Sequence, residues 1–153
     1  MDILQLKQFI LDASHNTYAS EDVNLRQKQA DNSTTIVYEK DNWKYHDNYF
    51  GGEPYGGREV VFYDNKPVWM MVYYGWVEEG NKPEDIYKIL SLALRNSTLE
   101  MPYRGPSEIS DGDFKYTNVI TGDAENFSGE EKIFKVDTIV YCAKYIGGLI
   151  DKV

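Results

Sequence analysis

The chain has a single cysteine, Cys142, two histidines, His15 and His46, and no apolar run of the eighteen or more residues that a membrane helix needs. One cysteine cannot close an internal disulfide, which agrees with a reducing compartment, and it reads as a small buried hydrophobe. The start, Met1-Asp2-Ile3-Leu4-Gln5, lacks the basic flank and apolar stretch of a secretory signal, so the expected location is the cytoplasm, with no membrane contact. The histidines are too few for a convincing Ser-His-Asp set, and Cys-x-x-Cys, His-x-x-x-His and EF-hand loops are missing. His46 and Asp47, adjacent in an expected strand, point to opposite faces and do not converge on a metal. The glycines at 51, 52, 56 and 57 lack the Lys-Ser/Thr ending of a phosphate loop and read as turns and bulges. No catalytic residue, metal or cofactor is assigned on these grounds. A basic surplus is also missing: the net charge is −9, contributed by both halves, and phosphate contacts dominate nucleic-acid affinity, so direct nucleic-acid binding is excluded. Acidic pairs such as Glu130-Glu131 and Asp111-Gly112-Asp113 read as solvated turns, since nothing in the sequence supplies an apolar setting that raises a carboxylate pKa.

Aromatic residues are abundant: thirteen Tyr, six Phe and three Trp in 153 residues. They favour strands, whose pleated surface suits rings and β-branched side chains. The length is that of one ordinary domain over residues 1–153. Ile3, Leu6, Phe9, Ile10 and Ala13 recur at helical spacing behind Asp2 as N-cap, predicting a helix over about residues 2–15. The polar stretch from Ser20 to Ser33 has no period and reads as an exposed loop or mobile segment. Strands are predicted over 35–38, 43–50, 58–63 and 68–76, with Gly51-Gly52 ending the hairpin of the first two. The strand over 68–76 is apolar on both faces, which predicts a central strand covered on both sides. A second helix opens at Pro83 with Glu84 and Asp85 in its first turn and the stripe Ile86, Ile89, Leu90, Ala93 and Leu94. Strand patterns resume over 114–121, 131–135 and 138–146, and Gly147-Gly148 closes the series. The expected class is α+β, a mostly antiparallel sheet with two helices.

The two strand blocks resemble each other. Setting Tyr55 to Val77 against Phe127 to Leu149 aligns Gly57 with Gly129, Glu59 with Glu131, Phe62 with Phe134, Val68 with Val140, Tyr73 with Tyr145 and Gly75 with Gly147. One position out of step, Trp43-Lys44-Tyr45 aligns with Phe114-Lys115-Tyr116. Two readings stand: a duplicated helix-plus-strands unit with halves 1–80 and 81–153, or two unrelated aromatic hairpins sharing strand chemistry.

The candidate site is aromatic and polar. Tyr45, Asp47 and Tyr49 share one face of a strand by parity, and Trp69 and Tyr73 share one face of the expected central strand. Tyr103 and Arg104 lie in a Pro-bounded loop, from which Arg104 reaches either Asp47 or an anionic ligand. An Asp47–Arg104 ion pair that pins the loop to the sheet is the structural alternative.

With these residues laid out, the chain resembles an uncharacterised bacterial domain of unknown function, number 5680 in that series, which occurs alone and behind the helix-turn-helix of Xre-type regulators. The resemblance is carried by Asn16-Thr17-Tyr18-Ala19, Tyr45-x-Asp47-x-Tyr49-Phe50-Gly51-Gly52, Val68-Trp69-x-Met71-x-Tyr73-Tyr74-Gly75 and Pro102-Tyr103-Arg104-Gly105-Pro106. It implies no reaction and no ligand, but it implies the company of regulators, where such a domain would sit in the place of effector or partner binding. The leading expectation is a module that binds a small molecule or peptide. An acidic protein-interaction partner, of inhibitor or immunity type, is the alternative, and an enzyme of unfamiliar type comes third.

Overall fold

The computed structural model describes residues 2–17 and 23–151. Among them, two helices cover one face of a nine-stranded antiparallel sheet, which bears out the α+β expectation. Helix α1 (Ile3–Asn16) is capped by Asp2, whose carboxylate accepts the Leu4 N–H at 3.0 Å. Helix α2 (Pro83–Arg95) has Pro at its first position, acids in its first turn and Arg95 in its last, an arrangement that suits the helix dipole. Each buries one stripe. Leu6, Phe9, Ile10 and Ala13 of α1 pack on Tyr45, Val61, Trp69 and Met71, and Ile86, Ile89, Leu90, Ala93 and Leu94 of α2 pack on Tyr116, Ile133, Tyr141 and Ala143. Every fully buried large side chain in these stripes contributes about 1.5–3 kcal/mol. No helix of the described residues is long and apolar enough to cross a membrane.

The strands are β1 (Gln27–Lys28), β2 (Thr34–Lys40), β3 (Trp43–Gly51), β4 (Tyr55–Tyr63), β5 (Lys66–Val77), β6 (Glu108–Asp111), β7 (Phe114–Asp123), β8 (Asn126–Lys135) and β9 (Thr138–Leu149). Their order is β1-β2-β3-β4-β5-β9-β8-β7-β6. Helix α1 and strands β1 to β5 thus meet helix α2 and strands β6 to β9 along the β5–β9 pair, with the order of β2 to β5 mirrored in β6 to β9. Tyr73 and Tyr145 stand directly opposite each other there, so an approximate twofold passes between them. The ladder irregularities match as well: β4 shifts register at Val61/Phe62 and β8 at Ile133/Phe134, each 72 positions apart. The positive-φ turn residues correspond too, Gly51 with Gly122 at a spacing of 71 and Asp64 with Val136 at a spacing of 72.

Several expectations need correction. The stretch before β2 is not featureless: a 3-10 turn spans Val23–Leu25, and β1 pairs with β2. β6 was not legible as a strand. Gly147 and Gly148 lie inside β9 instead of closing the series, because β8 runs beside them from Asn126. Tyr18, Ala19 and residues 20–22 lie outside the described residues. β5 is central, yet it is covered on one face only. Val72 is 41% and Tyr74 53% exposed, and with Val119 at 71% and Ile146 at 57% they form an open apolar stripe on the outer face. Both helices pack on the inner side, and no element among the described residues crosses to the other.

Candidate functional site

The inner face at the twofold is polar. Asp47 on β3 and Glu59 on β4 are cross-strand neighbours, Asn118 and Glu131 are their counterparts on β7 and β8, and all four are buried. Alternation places them there, because Asp47 shares the inward parity of Tyr45 and Tyr49, and Glu131 that of Ile133. The tyrosines follow the same symmetry. Tyr73 donates to Asp47 at 2.6 Å, and Tyr145 donates to Asn118 at 2.5 Å. Tyr45 lies against Glu59, and Tyr116 donates to Glu131. Glycine makes room for these rings: a Cβ on Gly57 would stand 2.6 Å from Tyr49 Cβ and 2.7 Å from Tyr73 Oη, and one on Gly129 would collide with the Tyr145 ring.

One cation serves this set. Arg104, held between Pro102 and Pro106, bonds Glu131 through Nη2, and its guanidinium carbon lies 6.0 Å from the Tyr73 ring centre and 5.8 Å from that of Tyr145. It therefore sits across the twofold while spending its charge on one half. The loop is tied to that half by Asn118, which donates through Nδ2 to the Gly105 carbonyl at 3.0 Å while its Oδ1 accepts from Tyr145. An amide can do both; the carboxylate of Asp47 has no N–H to offer. The ion pair expected between Asp47 and Arg104 is thus made with Glu131 instead, since the loop is anchored on β7 and Asp47 is engaged by Tyr73. Glu131 also overturns the solvated-turn reading of Glu130-Glu131: Glu130 faces out to Lys132 and Lys144, while Glu131 is fully buried. Burial, and then the negative charge of Asp47, push the Glu59 carboxyl up to about 8 against the pull of Arg104. At neutral pH Glu59 is predominantly protonated. Tyr45, Glu59 and Arg104 border a void of about 10 Å³, the size of one water.

Beside this network opens a cavity of about 490 Å³, walled by Tyr87, Leu90, Ser91 and Leu94 of α2, by Tyr49, Gly51, Gly52 and Tyr55 of β3, β4 and their turn, and by Arg26, Lys28 and Thr34 at one end. Tyr73 and Arg104 lie at its floor. Lys28, Thr34, Tyr49, Gly57 and Tyr73 are successive partners across five strands, so one row of the sheet runs the length of the cavity. Tyr55 donates to or accepts from Tyr141 at 2.5 Å, and Tyr87 donates to Glu53, so both rings are fixed. Of the residues expected from sequence, Tyr49, Tyr73 and Arg104 line the cavity, and Tyr45 and Asp47 lie in the polar core behind it. Trp69 and Tyr103 stand elsewhere. They stack with Phe127, Tyr103 at 4.3 Å and Trp69 at 5.7 Å between ring centres, and Trp69 Nε1 donates to the Ala124 carbonyl at 2.9 Å. Burial, and then Asp123, push the Tyr103 hydroxyl up to about 12. Arg26, Lys28, Tyr55 and Tyr87 were missed; for Tyr55 the repeat held the signal, since it aligns with the buried Phe127. The carboxylates Asp47, Glu59 and Glu131 are not grouped so as to hold a metal ion among the described residues.

Fold and site together define an α+β protein in which a symmetric, tyrosine-lined polar core adjoins an asymmetric cavity. The chain belongs to the family described as Domain of unknown function (DUF5680), whose model matches residues 47–150, from Asp47 through both strand blocks. No curated protein and no solved structure matches the chain.

Proposed function

We propose that the chain is a binding module for a small molecule or short peptide, and that the cavity between α2 and β3 to β5 is its site. The observation that carries this reading is a hollow of about 490 Å³ combining fixed phenols, two leucines and a few convergent polar groups, a composition typical of ligand pockets. The regulator context implied by the family resemblance is consistent with such a role. An acidic partner of a basic protein would present acids together on one face; the open outer face instead carries Val72, Tyr74, Val119 and Ile146 beside Lys144 and Glu130. A thermal-shift screen of metabolites and short peptides tests the proposal. Stabilisation of the native chain is expected from at least one class of compound, and it should vanish in Ser91→Trp, which fills the cavity from α2. No shift across a broad library, or shifts that survive Ser91→Trp, would overturn it.

A further inference from the structure

We infer that this cavity takes an organic anion, its carboxylate or phosphate held at the outer end by Arg26 and Lys28 and its apolar body lying between Tyr55, Tyr87, Leu90 and Leu94. The inference rests on the reading of the cavity as a ligand site. Its first support is charge segregation. The chain carries 25 acids against 16 Lys and Arg, yet the described residues that line the cavity include Arg26, Lys28 and Arg104 and no Asp or Glu. A cavity assembled without regard to charge would show the opposite bias.

The second support is geometry. Lys28 begins the inward-facing row with Thr34 and Tyr49, and Arg26, two positions before it and just ahead of β1, lines the same cavity. Both are exposed, and neither enters an ion pair among the described residues. Two unpaired cations at one end of a pocket are suited to a forked anion. The third support is the contrast at the floor. Arg104 is balanced by Glu131, with the Asp47 carboxylate beyond it, so a second anionic group is disfavoured there. The ligand is therefore oriented with its charge outward and its apolar body inward.

Calorimetric titration of the full chain with 2-naphthoate, 2-naphthyl phosphate, 2-naphthamide and 2-naphthylmethylammonium tests the inference. At least one of the two anions should bind, and their comparison tells carboxylate from phosphate ester. The amide should bind about tenfold more weakly, and the ammonium compound more weakly still. The Arg26→Gln, Lys28→Gln double variant should lose about tenfold in affinity for the anion and none for the amide, and raising salt should weaken the anion alone. Equal or tighter binding of the amide or the ammonium probe, or an anion affinity unchanged in the double variant, would overturn the anion assignment while leaving the ligand site in place. Absence of binding by all four probes would also overturn it, and the ligand site itself falls only if the metabolite screen is silent too.

Discussion

Tyr55 and Phe127 occupy equivalent places, 72 positions apart near the heads of β4 and β8, and what lies over them differs. Over Phe127 sits Tyr103, stacked at 4.3 Å with planes 19° apart. The strand pairs β2–β3 and β6–β7 correspond at an offset of 71, which makes Asn32 the counterpart of Tyr103, and Asn32 is exposed with φ 69°. One half has closed its hollow with a ring and the other has left it open. The symmetric framework therefore makes the same concavity twice, and the loop before β6 or β2 decides whether it becomes core or cavity. Charge divides in the same way: Glu59 and Glu131 hold equivalent buried positions, and Arg104, from that same loop, compensates one of them.

The comparison breaks first at Arg104. Glu131→Gln leaves a buried guanidinium without its counter-charge and should cost about 3–5 kcal/mol in urea unfolding, whereas Glu59→Gln at pH 7 should cost nothing and is expected to stabilise, because the amide stays neutral without taking up the proton that Glu59 must bind on folding. Equal costs would mean that Arg104 serves both carboxylates. Tyr103→Ala should cost about 3–5 kcal/mol, since a stacked ring is removed from a packed site. A loss below about 1 kcal/mol would show that Tyr103 is not what closes the second hollow.

Protonation sharpens the contrast between the halves. A carboxyl raised from 4.5 in the unfolded chain to about 8 in the fold contributes stability that is complete below pH 4.5 and is lost as pH rises through about 8. Between those values native Glu59 binds more protons than its unfolded counterpart, so stability should fall with pH, at most by about 1.4 kcal/mol per unit, and Glu59→Gln should flatten the slope. A profile unchanged by that substitution would assign the pH dependence to another group. The smallest effects concern the axial tyrosines. Tyr73→Phe removes a hydrogen bond to a carboxylate, worth about 1.5–3 kcal/mol, and Tyr145→Phe one to an amide, worth about 0.5–1.5 kcal/mol. Thermal melts that rank them the other way would contradict the assignment of charge to the first half.

Much of this symmetry is legible in the residues, because Gly57 and Gly129, Glu59 and Glu131, and Tyr73 and Tyr145 recur at one offset and meet at one axis. Both helices and the inward parity of Tyr45, Asp47 and Tyr49 are legible for the same reason: burial imposes a period. Glu131 escaped because the pair Glu130-Glu131 reads as polar until parity separates its members, one outward and one at the centre. The partner of Arg104 escaped because a loop has no period, and which carboxylate it reaches depends on Asn118 fastening Gly105 to β7. Lys28 ends a two-residue strand, too short to show alternation, and Arg26 precedes that strand. The open outer face of β5 is a matter of what packs elsewhere, and an apolar strand cannot announce that its second cover is missing.

The β5–β9 pair also bears on how the molecule reaches its native state. Every other ladder joins strands that are neighbours in sequence and can zip from a turn, but Tyr73 must find Tyr145 across 72 positions of chain. Loop-closure entropy penalises that encounter, so the β1–β5 and β6–β9 halves are expected to assemble by local hairpins before the two dock, with formation of the central pair setting the refolding rate. Until docking, β5 and β9 are bare twelve-residue edges open to pairing with another chain, so the centre of the finished sheet is also the segment most exposed to aggregation while it folds.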